Sequence, residues 1–163
     1  MDKQTFQIQY ILSDDQRELM EQDSLLLDKA KEASIKAYAP YSGFRVGAAV
    51  LLGNGEIITG NNQENASYPQ GLCAERVALF SAKAQYPEQQ IVTIAVYGNP
   101  LNFQMNDCVS PCGGCRQVMS ECELNNKQKI RVILGGNSGK IMLIDGMENL
   151  LPFQFSANDI HSK

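Results

Sequence analysis

The chain has 163 residues, of which 44% are hydrophobic and 20% are charged, and its formal net charge is −4. These values are typical of one globular domain that is long enough to bury its own core. Because the balance is acidic and the sequence shows no basic stripe, a nucleic acid polymer is not expected as a partner. No apolar run approaches the roughly 18 residues of a membrane span, so no membrane association is predicted and a small, nearly neutral molecule is the favoured ligand.

Residues 1–22 alternate short apolar stretches with acidic and amide residues, and we interpret them as an N-terminal extension of uncertain structure. The first ten residues contain no basic region followed by an apolar stretch, so secretion is not indicated and a cytoplasmic location is expected. Residues 23–163 show no internal repeat, linker or low-complexity tract. They are therefore predicted to form a single domain.

The rest of the sequence alternates helical and extended patterns. In chain order the predicted elements are a helix over 24–38, strands over 45–52 and 56–60, a helix over 73–85, a strand over 91–97, a helix over 112–124, and strands over 130–134 and 140–144. Ser24 is the predicted N-cap of the first helix. Gly53-Asn54-Gly55 predicts a hairpin, and the short glycine-rich link 135–139 cannot make a parallel crossover. This order predicts an α/β fold, a three-layer α/β/α domain with a mixed five-stranded sheet.

The cysteines indicate a metal site. Five cysteines cannot all pair within one chain, and in a cytoplasmic protein such a cluster favours metal binding or catalysis over disulfides. Cys73, Cys112 and Cys115 each lie where a loop enters a predicted helix, and a helix N-terminus lowers the pKa of a thiol. Three thiolates can hold one zinc ion and leave its fourth position open, as catalytic zinc sites do. The single histidine, His161, lies in a polar tail and is predicted to be solvated rather than a ligand.

A carboxylate and two arginines accompany the cysteines. Glu75, two residues after Cys73, is a candidate proton carrier for a water molecule at the open position of the metal. Three thiolates would leave zinc with a formal charge of about −1, which weakens it as a Lewis acid. Arg76 and Arg116, each adjacent to a cysteine motif, are candidates to donate hydrogen bonds to sulfur and to offset that charge.

Other interpretations of the same residues stay open at this point. Cys112 and Cys115 alone could form a thioredoxin-like redox pair. Cys108 could supply a fourth ligand and close the site as a structural one. Cys122 is most simply a small buried apolar residue. Glu75 could be a capping carboxylate at a helix start, although its place beside a candidate ligand favours catalysis.

The sequence Cys-Ala-Glu-Arg at 73–76, together with Ser-Pro-Cys-Gly-Gly-Cys-Arg-Gln at 110–117, resembles the zinc-dependent cytidine deaminases of the small, homotetrameric class. Two further segments are similar to the same family: Ala-Pro-Tyr-Ser-Gly-Phe-Arg-Val-Gly-Ala-Ala at 39–49 and Gly-Asn-Asn-Gln-Glu-Asn-Ala-Ser-Tyr at 60–68. The similarity covers about 30–155, and the four motifs occur in the family's order.

This resemblance implies a cytidine deaminase-like catalytic domain with one zinc ion per chain, held by Cys73, Cys112 and Cys115. It implies hydrolytic deamination of cytidine and 2′-deoxycytidine to uridine and 2′-deoxyuridine with release of ammonia, a reaction of pyrimidine salvage. Glu75 would be the proton shuttle between the attacking water, ring N3 and the departing amine. The expected partners are therefore a nucleoside substrate and, in a homotetramer, three further copies of the chain.

The resemblance also implies a set of substrate contacts. Asn62 and Glu64 would contact the sugar hydroxyls, Phe44 would pack against the base, and the backbone amide of Ala74 would hold the pyrimidine O2. Phe155 would enter the site of a neighbouring subunit. Alternate residues of an extended chain point to the same side, so both Asn62 and Glu64 can reach one sugar. Taken alone, Phe44 could also be a core residue at the start of a strand, and Asn62 and Glu64 could be turn residues.

Three features depart from the shortest members of that family: the N-terminal extension, the long loop 98–111, and arginine at position 45. A related aminopyrimidine such as blasticidin S is an alternative substrate, although Asn62 and Glu64 favour a ribose. A nucleotide such as dCMP would need a basic phosphate contact, for which only Arg45 is near the expected pocket. A non-catalytic, zinc-stabilised interaction domain is the alternative from a different functional class, ahead of a thiol oxidoreductase.

Overall fold

The structure is a computed structural model that describes residues 1–160, with Asn158 described by its backbone only; the predicted solvated residue His161 lies outside this range. The helices are α1 (Glu21–Ile35), α2 (Ala74–Gln85), α3 (Gly113–Leu124) and α4 (Ala157–Ile160). The strands are β1 (Ile11–Ser13), β2 (Phe44–Leu52), β3 (Ile57–Asn61), β4 (Ile91–Pro100), β5 (Arg131–Gly136) and β6 (Ile141–Asp145). Three short 3₁₀ turns lie at Gln16–Glu18, Tyr68–Gln70 and Met147–Asn149.

The strands form one mixed sheet in the order β1-β6-β5-β4-β2-β3. Strands β4 and β5 are parallel, and α3 lies in the crossover between them, as a parallel connection requires. The other neighbours are antiparallel, which includes both predicted hairpins, β2–β3 and β5–β6. The prediction of an α/β domain with a mixed sheet is therefore confirmed.

The predicted count of five strands was wrong by one, because β1 adds a sixth strand at the edge of the sheet. It pairs antiparallel with β6, with Ile11 opposite Leu143. A strand of three exposed or half-exposed residues has no period from which it could be predicted. The strand lies in the segment 1–22 that we interpreted as an extension, and the division of the chain at residue 22 stays a prediction.

Side chains of β2 alternate between the two faces of the sheet, which fixes the layers. Ala48 and Val50 pack with the buried residues of α2 and α3, whereas Ala49 and Leu51 pack with those of α1. The sheet is therefore covered by α1 on one face and by α2 and α3 on the other, as the predicted three layers require. Within residues 1–160, no helix combines the length and the apolar character that a membrane crossing needs.

Helix α1 begins earlier than predicted. Its N-cap is Met20 rather than Ser24, and the Ser24 amide donates to the Met20 carbonyl oxygen across 3.0 Å. The start is fixed by Asp23 in the first turn, which is 5% exposed and accepts a hydrogen bond from Arg131 of β5 at 2.9 Å. A carboxylate near a helix N-terminus is favourable, and a partner that lies 108 residues away cannot be seen in the local sequence.

Candidate metal centre and substrate cleft

Three cysteines meet where two helices begin. Cys73 is the N-cap of α2, Cys112 is the N-cap of α3, and Cys115 lies in the first turn of α3. The Sγ atoms of Cys73 and Cys112 are 4.0 Å apart, those of Cys112 and Cys115 are 3.5 Å apart, and all three lie within 4.8 Å of one another. Tetrahedral zinc with Zn–S bonds of about 2.3 Å separates its sulfur ligands by about 3.8 Å, so the three thiols fit zinc.

The thiols carry unequal charge because they hydrogen-bond one another. A hydrogen bond from the Cys115 thiol, helped by one from Arg76, lowers the pKa of Cys73 to about 5. The pKa of Cys115 is raised, first because its thiol proton is used in the hydrogen bond to Cys73 and second because the thiol is buried. The Arg76 Nη2 atom lies 3.7 Å from the Cys73 Sγ atom, which places the positive charge of this arginine beside the thiol. A bound cation would take the place of the proton that Cys115 keeps.

Among the described residues, Arg116 hydrogen-bonds to backbone oxygens rather than to sulfur. Its Nε atom donates to the Pro111 carbonyl oxygen at 2.9 Å, and its Nη1 atom donates to the Leu150 carbonyl oxygen at 2.8 Å. Consecutive residues of a helix point about 100° apart, so the residue after Cys115 is turned away from the side of that thiol. Arg116 therefore ties the loop before Cys112 to the start of the C-terminal tail instead.

Glu75 lies in the first turn of α2 and is 5% exposed. Burial raises the pKa of its carboxyl group, and the negative charge on Cys73 acts in the same direction. A carboxyl group that holds its proton more readily than usual can both accept and return a proton near neutral pH. The arrangement therefore fits proton transfer at the metal centre better than a solvated cap.

The two remaining cysteines lie outside the metal-ligating group found among residues 1–160. Cys108 is buried in the core that α2 and α3 cover, and burial raises the pKa of its thiol to about 11, with Asp107 adding to the effect. Cys122 packs against the same core, which agrees with its interpretation as a small apolar residue. Neither cysteine is placed as a fourth ligand.

A cleft of about 590 Å³ opens beside Cys73. Its size lies in the usual range for small-molecule sites, about 300–1,000 Å³. The lining residues are Tyr41, Ser42, Asn62, Gln63, Glu64, Asn65, Tyr68, Gly71, Leu72, Cys73 and Arg76. The predicted sugar contacts Asn62 and Glu64 are thus brought together with a predicted metal ligand, whereas Phe44 and Ala74 are not among the lining residues.

Glu64 shapes one wall of the cleft. Its carboxylate accepts hydrogen bonds from the Ser42 hydroxyl at 2.5 Å, from the Tyr41 amide at 2.9 Å and from the Ser42 amide at 3.3 Å. The Ser42 hydroxyl, followed by these amides, lowers the pKa of Glu64 and keeps it ionised. Ser42 is a site residue that the sequence did not single out, although it lies in the segment 39–49 that carries the family resemblance.

Asn62 connects the cleft to β2. Its Oδ1 atom accepts a hydrogen bond from the Val46 amide at 2.8 Å, and its Nδ2 atom donates to the Phe44 carbonyl oxygen at 2.9 Å. A side-chain amide has two N–H donors, and within the described part of the chain only one is used. The second is available to a ligand in the cleft.

Phe44 is half-buried at the start of β2, and its ring lies 6.1 Å from the ring of Phe103, centroid to centroid. Phe103 belongs to the loop after β4, which Asn137 holds in place. The Asn137 side chain donates to the Phe103 carbonyl oxygen at 3.0 Å and accepts from the Met105 amide at 2.8 Å. Sequence patterns did not identify this pairing, because β4 runs to Pro100 rather than to residue 97 and the loop has no period.

The first turn of α2 lies against the sheet at a glycine. A Cβ atom on Gly60 would lie 2.5 Å from the Ala78 nitrogen and 2.8 Å from the Ala74 carbonyl oxygen. Both neighbours are helix backbone, which cannot move without shifting the turn that carries Cys73 and Glu75. Gly47 makes the matching contact on the opposite face, where a Cβ atom would lie 2.0 Å from a carbonyl oxygen of α1.

Phe155, the aromatic predicted to enter a neighbouring site, is 60% exposed. Its carbonyl oxygen accepts a hydrogen bond from the Gln117 Nε2 atom of α3 at 2.7 Å. The ring is therefore exposed while its backbone is held.

Comparison with known proteins places these features in a family. Residues 20–129 match the family model described as "Cytidine and deoxycytidylate deaminase zinc-binding region". A cytidine deaminase of Halalkalibacterium halodurans is 44% identical over 138 residues, which cover 84% of this chain and 96% of the relative. One of Mycobacterium tuberculosis is 32% identical over 143 residues, which cover 84% and 92%. The crystal structure of cytidine deaminase from Burkholderia pseudomallei is similar with a TM-score of 0.71 and 40% identity, covering 84% of this chain and all of that one.

The thiol geometry predicts which cysteines hold metal. Loss of a group that hydrogen-bonds to a metal ligand lowers metal affinity by about 10–100-fold. Cys73→Ala removes a ligand itself, so it should lower zinc affinity by more than that. Cys108→Ala, its matched control in the core, should keep wild-type zinc content. Zinc per chain is measured by mass spectrometry of the metal after dialysis against a chelator of graded strength. Full zinc retention in Cys73→Ala would show that another residue completes the site.

The close contact at Gly60 predicts that a side chain there disturbs metal binding, whereas a side chain at Gly47 lowers only the stability of the fold. Gly60→Ala should displace the first turn of α2 and alter the absorption spectrum of the cobalt-substituted protein, with weaker metal binding. Gly47→Ala should lower the free energy of unfolding by about 1–3 kcal/mol through overpacking against α1, while its folded fraction keeps the cobalt spectrum. The two measurements are the visible spectrum and urea unfolding. Equal spectra in both variants would rule out a positioning role for Gly60.

Proposed function

The chain belongs to the cytidine and deoxycytidylate deaminase family, and from this premise we propose that it converts cytidine and 2′-deoxycytidine to uridine and 2′-deoxyuridine by hydrolysis, with release of ammonia. The observation that carries the proposal is the buried carboxyl group of Glu75 beside three thiols, at the edge of a cleft that Asn62 and Glu64 line. The proposed biological role is pyrimidine salvage.

One zinc ion per chain, held by Cys73, Cys112 and Cys115, is part of this proposal. When bound, zinc acts as a Lewis acid that lowers the pKa of a water molecule to about 7. The protein's part is to moderate the negative charge of the thiolates that would hold the ion. The helix N-termini and Arg76 do this, because each places positive charge beside sulfur.

Glu75 moves the protons of the reaction. It takes a proton from the attacking water and gives it to ring N3, which makes C4 of the pyrimidine electrophilic. After the hydroxyl has added to C4, the same carboxylate takes the remaining proton from that hydroxyl and delivers it to the amine, so that the C4–N bond breaks, ammonia leaves and the C4 carbonyl forms. One residue can serve both steps because its raised pKa brings the two protonation states closer in free energy near neutral pH.

The remaining residues orient the nucleoside. The Glu64 carboxylate, kept ionised by Ser42, accepts hydrogen bonds from sugar hydroxyls, and the unused N–H of Asn62 donates to one. Ala74 is the first residue of α2, so its amide has no partner within the helix and can donate to the pyrimidine O2. Phe44 packs against the base from the start of β2.

The cleft supports a nucleoside over the alternatives. Of its lining residues only Arg76 is basic, and Arg76 is engaged with Cys73, which leaves no free basic side chain in the cleft for a phosphate group. Arg45 lines a separate cleft of about 420 Å³ on the far side of Tyr41 and Ser42. The two relatives described above are named cytidine deaminases, so deamination of blasticidin S and a non-catalytic zinc domain are not favoured.

The proposal includes a homotetramer in which Phe155 of one subunit enters the cleft of another. It is supported by the exposure of the Phe155 ring, which finds no cover in its own chain as far as residues 1–160 are described. A cytoplasmic location belongs to the same proposal, because free thiols in a metal site need reducing surroundings.

Replacing Glu75 tests the chemistry. Zinc-loaded protein should convert cytidine, followed by the loss of its ultraviolet absorbance, with little turnover of dCMP or blasticidin S. Glu75→Gln should keep zinc and lose about 10²–10⁴-fold in kcat, because the amide cannot carry the proton. Glu56→Gln, on the exposed hairpin between β2 and β3, is the control and should match the wild type. An active Glu75→Gln enzyme would refute the shuttle, and no turnover of cytidine by the wild type would refute the proposed activity.

Subunit mixing tests the shared site. Phe155→Ala should raise KM for cytidine, while Glu75→Gln is inactive but carries an intact Phe155. Refolding the two variants together forms hybrids in which some active clefts receive an intact aromatic from a neighbour. Steady-state kinetics should then show a fraction of sites with wild-type KM. Mixtures that behave as the sum of the separate variants would exclude the contribution from a neighbour.

A further inference from the structure

The C-terminal tail, residues 150–156, runs along α3 and is held there by side chains of that helix. Gln117 donates to the Phe155 carbonyl oxygen at 2.7 Å, and the fully buried Ser120 donates from its hydroxyl to the Gln154 Oε1 atom at 2.5 Å. Both contacts fall within two residues of the exposed Phe155 ring. The tail at this exposed aromatic is thus held by two polar groups of a rigid element, one through the Phe155 backbone and one through the Gln154 side chain.

The chain on either side of Phe155 is also fixed. Phe153 has a φ angle of 59°, a left-handed conformation that is unusual for a bulky residue, and its ring lies 6.3 Å from that of Phe6. After Phe155, the Ser156 amide and hydroxyl both donate to the Asp159 carboxylate, at 2.7 and 2.9 Å, where α4 begins. Together these contacts fix the course of the tail on both sides of Phe155, from which its ring projects.

An exposed tail is normally mobile, and ordering it costs conformational entropy. The ring of Phe155, 60% exposed, gains little within its own chain from being ordered. Ordering a contact residue before it meets its partner removes that cost from the binding step. Hydrogen bonds that order the tail beside such an exposed ring are therefore best explained by a contact that the ring makes outside this chain.

We propose that Gln117 and Ser120 are positioning residues that hold Phe155 in the orientation in which it enters the substrate cleft of a second copy of this chain. The inference rests on the proposed shared site and adds the residues that prepare it. Gln117 follows Arg116, which ties the base of the same tail at Leu150, so one face of α3 holds the tail at three points.

The effect of Gln117→Ala should appear in KM. The variant loses the bond that orders Phe155, so KM for cytidine should rise about two- to tenfold, the range expected for one unordered side chain. The kcat value should stay within about twofold of the wild type, because the chemistry of the intact metal centre is untouched. Zinc content and the urea midpoint should match the wild type. Chymotrypsin should cleave faster after Phe153 and Phe155, which reports the freed tail without any activity.

Gln85→Ala is the matched control. Gln85 has the same side chain on α2, and it hydrogen-bonds only to Ser81 of its own helix among the described residues. Its replacement should leave KM, kcat and the cleavage rate unchanged. A rise in KM for this variant equal to that of Gln117→Ala would mean that general loosening of a helix explains both, and it would overturn the inference.

The decisive measurement is a double-mutant cycle with Phe155→Ala. If Gln117 acts through Phe155, Gln117→Ala should add nothing to KM once the ring is absent. An equal increase in KM in both backgrounds would show that Gln117 acts independently of Phe155, and it would overturn this inference while leaving the shared site standing. A Phe155→Ala variant with wild-type KM would overturn the shared site and this inference together. An effect of Phe155→Ala without any effect of Gln117→Ala or Ser120→Ala would leave the shared site standing and refute the positioning role.

Discussion

The structure depends on the meeting of two helix N-termini at one point on one face of the sheet. Cys73 caps α2 and Cys112 caps α3, and their sulfur atoms are 4.0 Å apart. A helix N-terminus carries unpaired N–H groups and partial positive charge, which stabilise a thiolate. Two helices that point apart would each stabilise a separate thiol, whereas their convergence produces a site for one cation. The parallel pairing of β4 and β5 sets this convergence, because it forces α3 to cross over the face that α2 occupies.

The convergence also creates an electrostatic conflict at Glu75. Burial and the Cys73 thiolate both disfavour a second negative charge, so the pKa of the carboxyl group rises. The same burial strengthens the hydrogen bond from Arg76 to sulfur, since a low dielectric weakens screening. The Arg76 Nε atom is buried without a partner among the described residues, an arrangement that costs stability. Glu75 and Arg76 are thus both held in surroundings that disfavour their charged or polar groups, as is common at sites of proton transfer.

The sequence predicted the cluster of three cysteines and the layered fold because both depend on short-range patterns. The spacing of Cys112 and Cys115 and the apolar run of β4 are visible within a few residues. Features set by distant partners were missed. Arg116 was assigned to sulfur because it is adjacent in sequence, yet the helical turn directs it to Leu150. Phe103 reaches Phe44 only because Asn137, more than 30 residues later, holds its loop. Such contacts follow from topology, and no local pattern records them.

Strand β1 has a consequence for how the folded protein behaves at high concentration. The edge of β6 would otherwise present unpaired N–H and C=O groups, which can template pairing with another chain. β1 covers that edge but is itself only three residues long, too short to pair well with an incoming strand. At the opposite edge, β3 spans five residues and ends at Asn61. The segment before α1 therefore limits pairing with other chains at the β6 edge of the sheet.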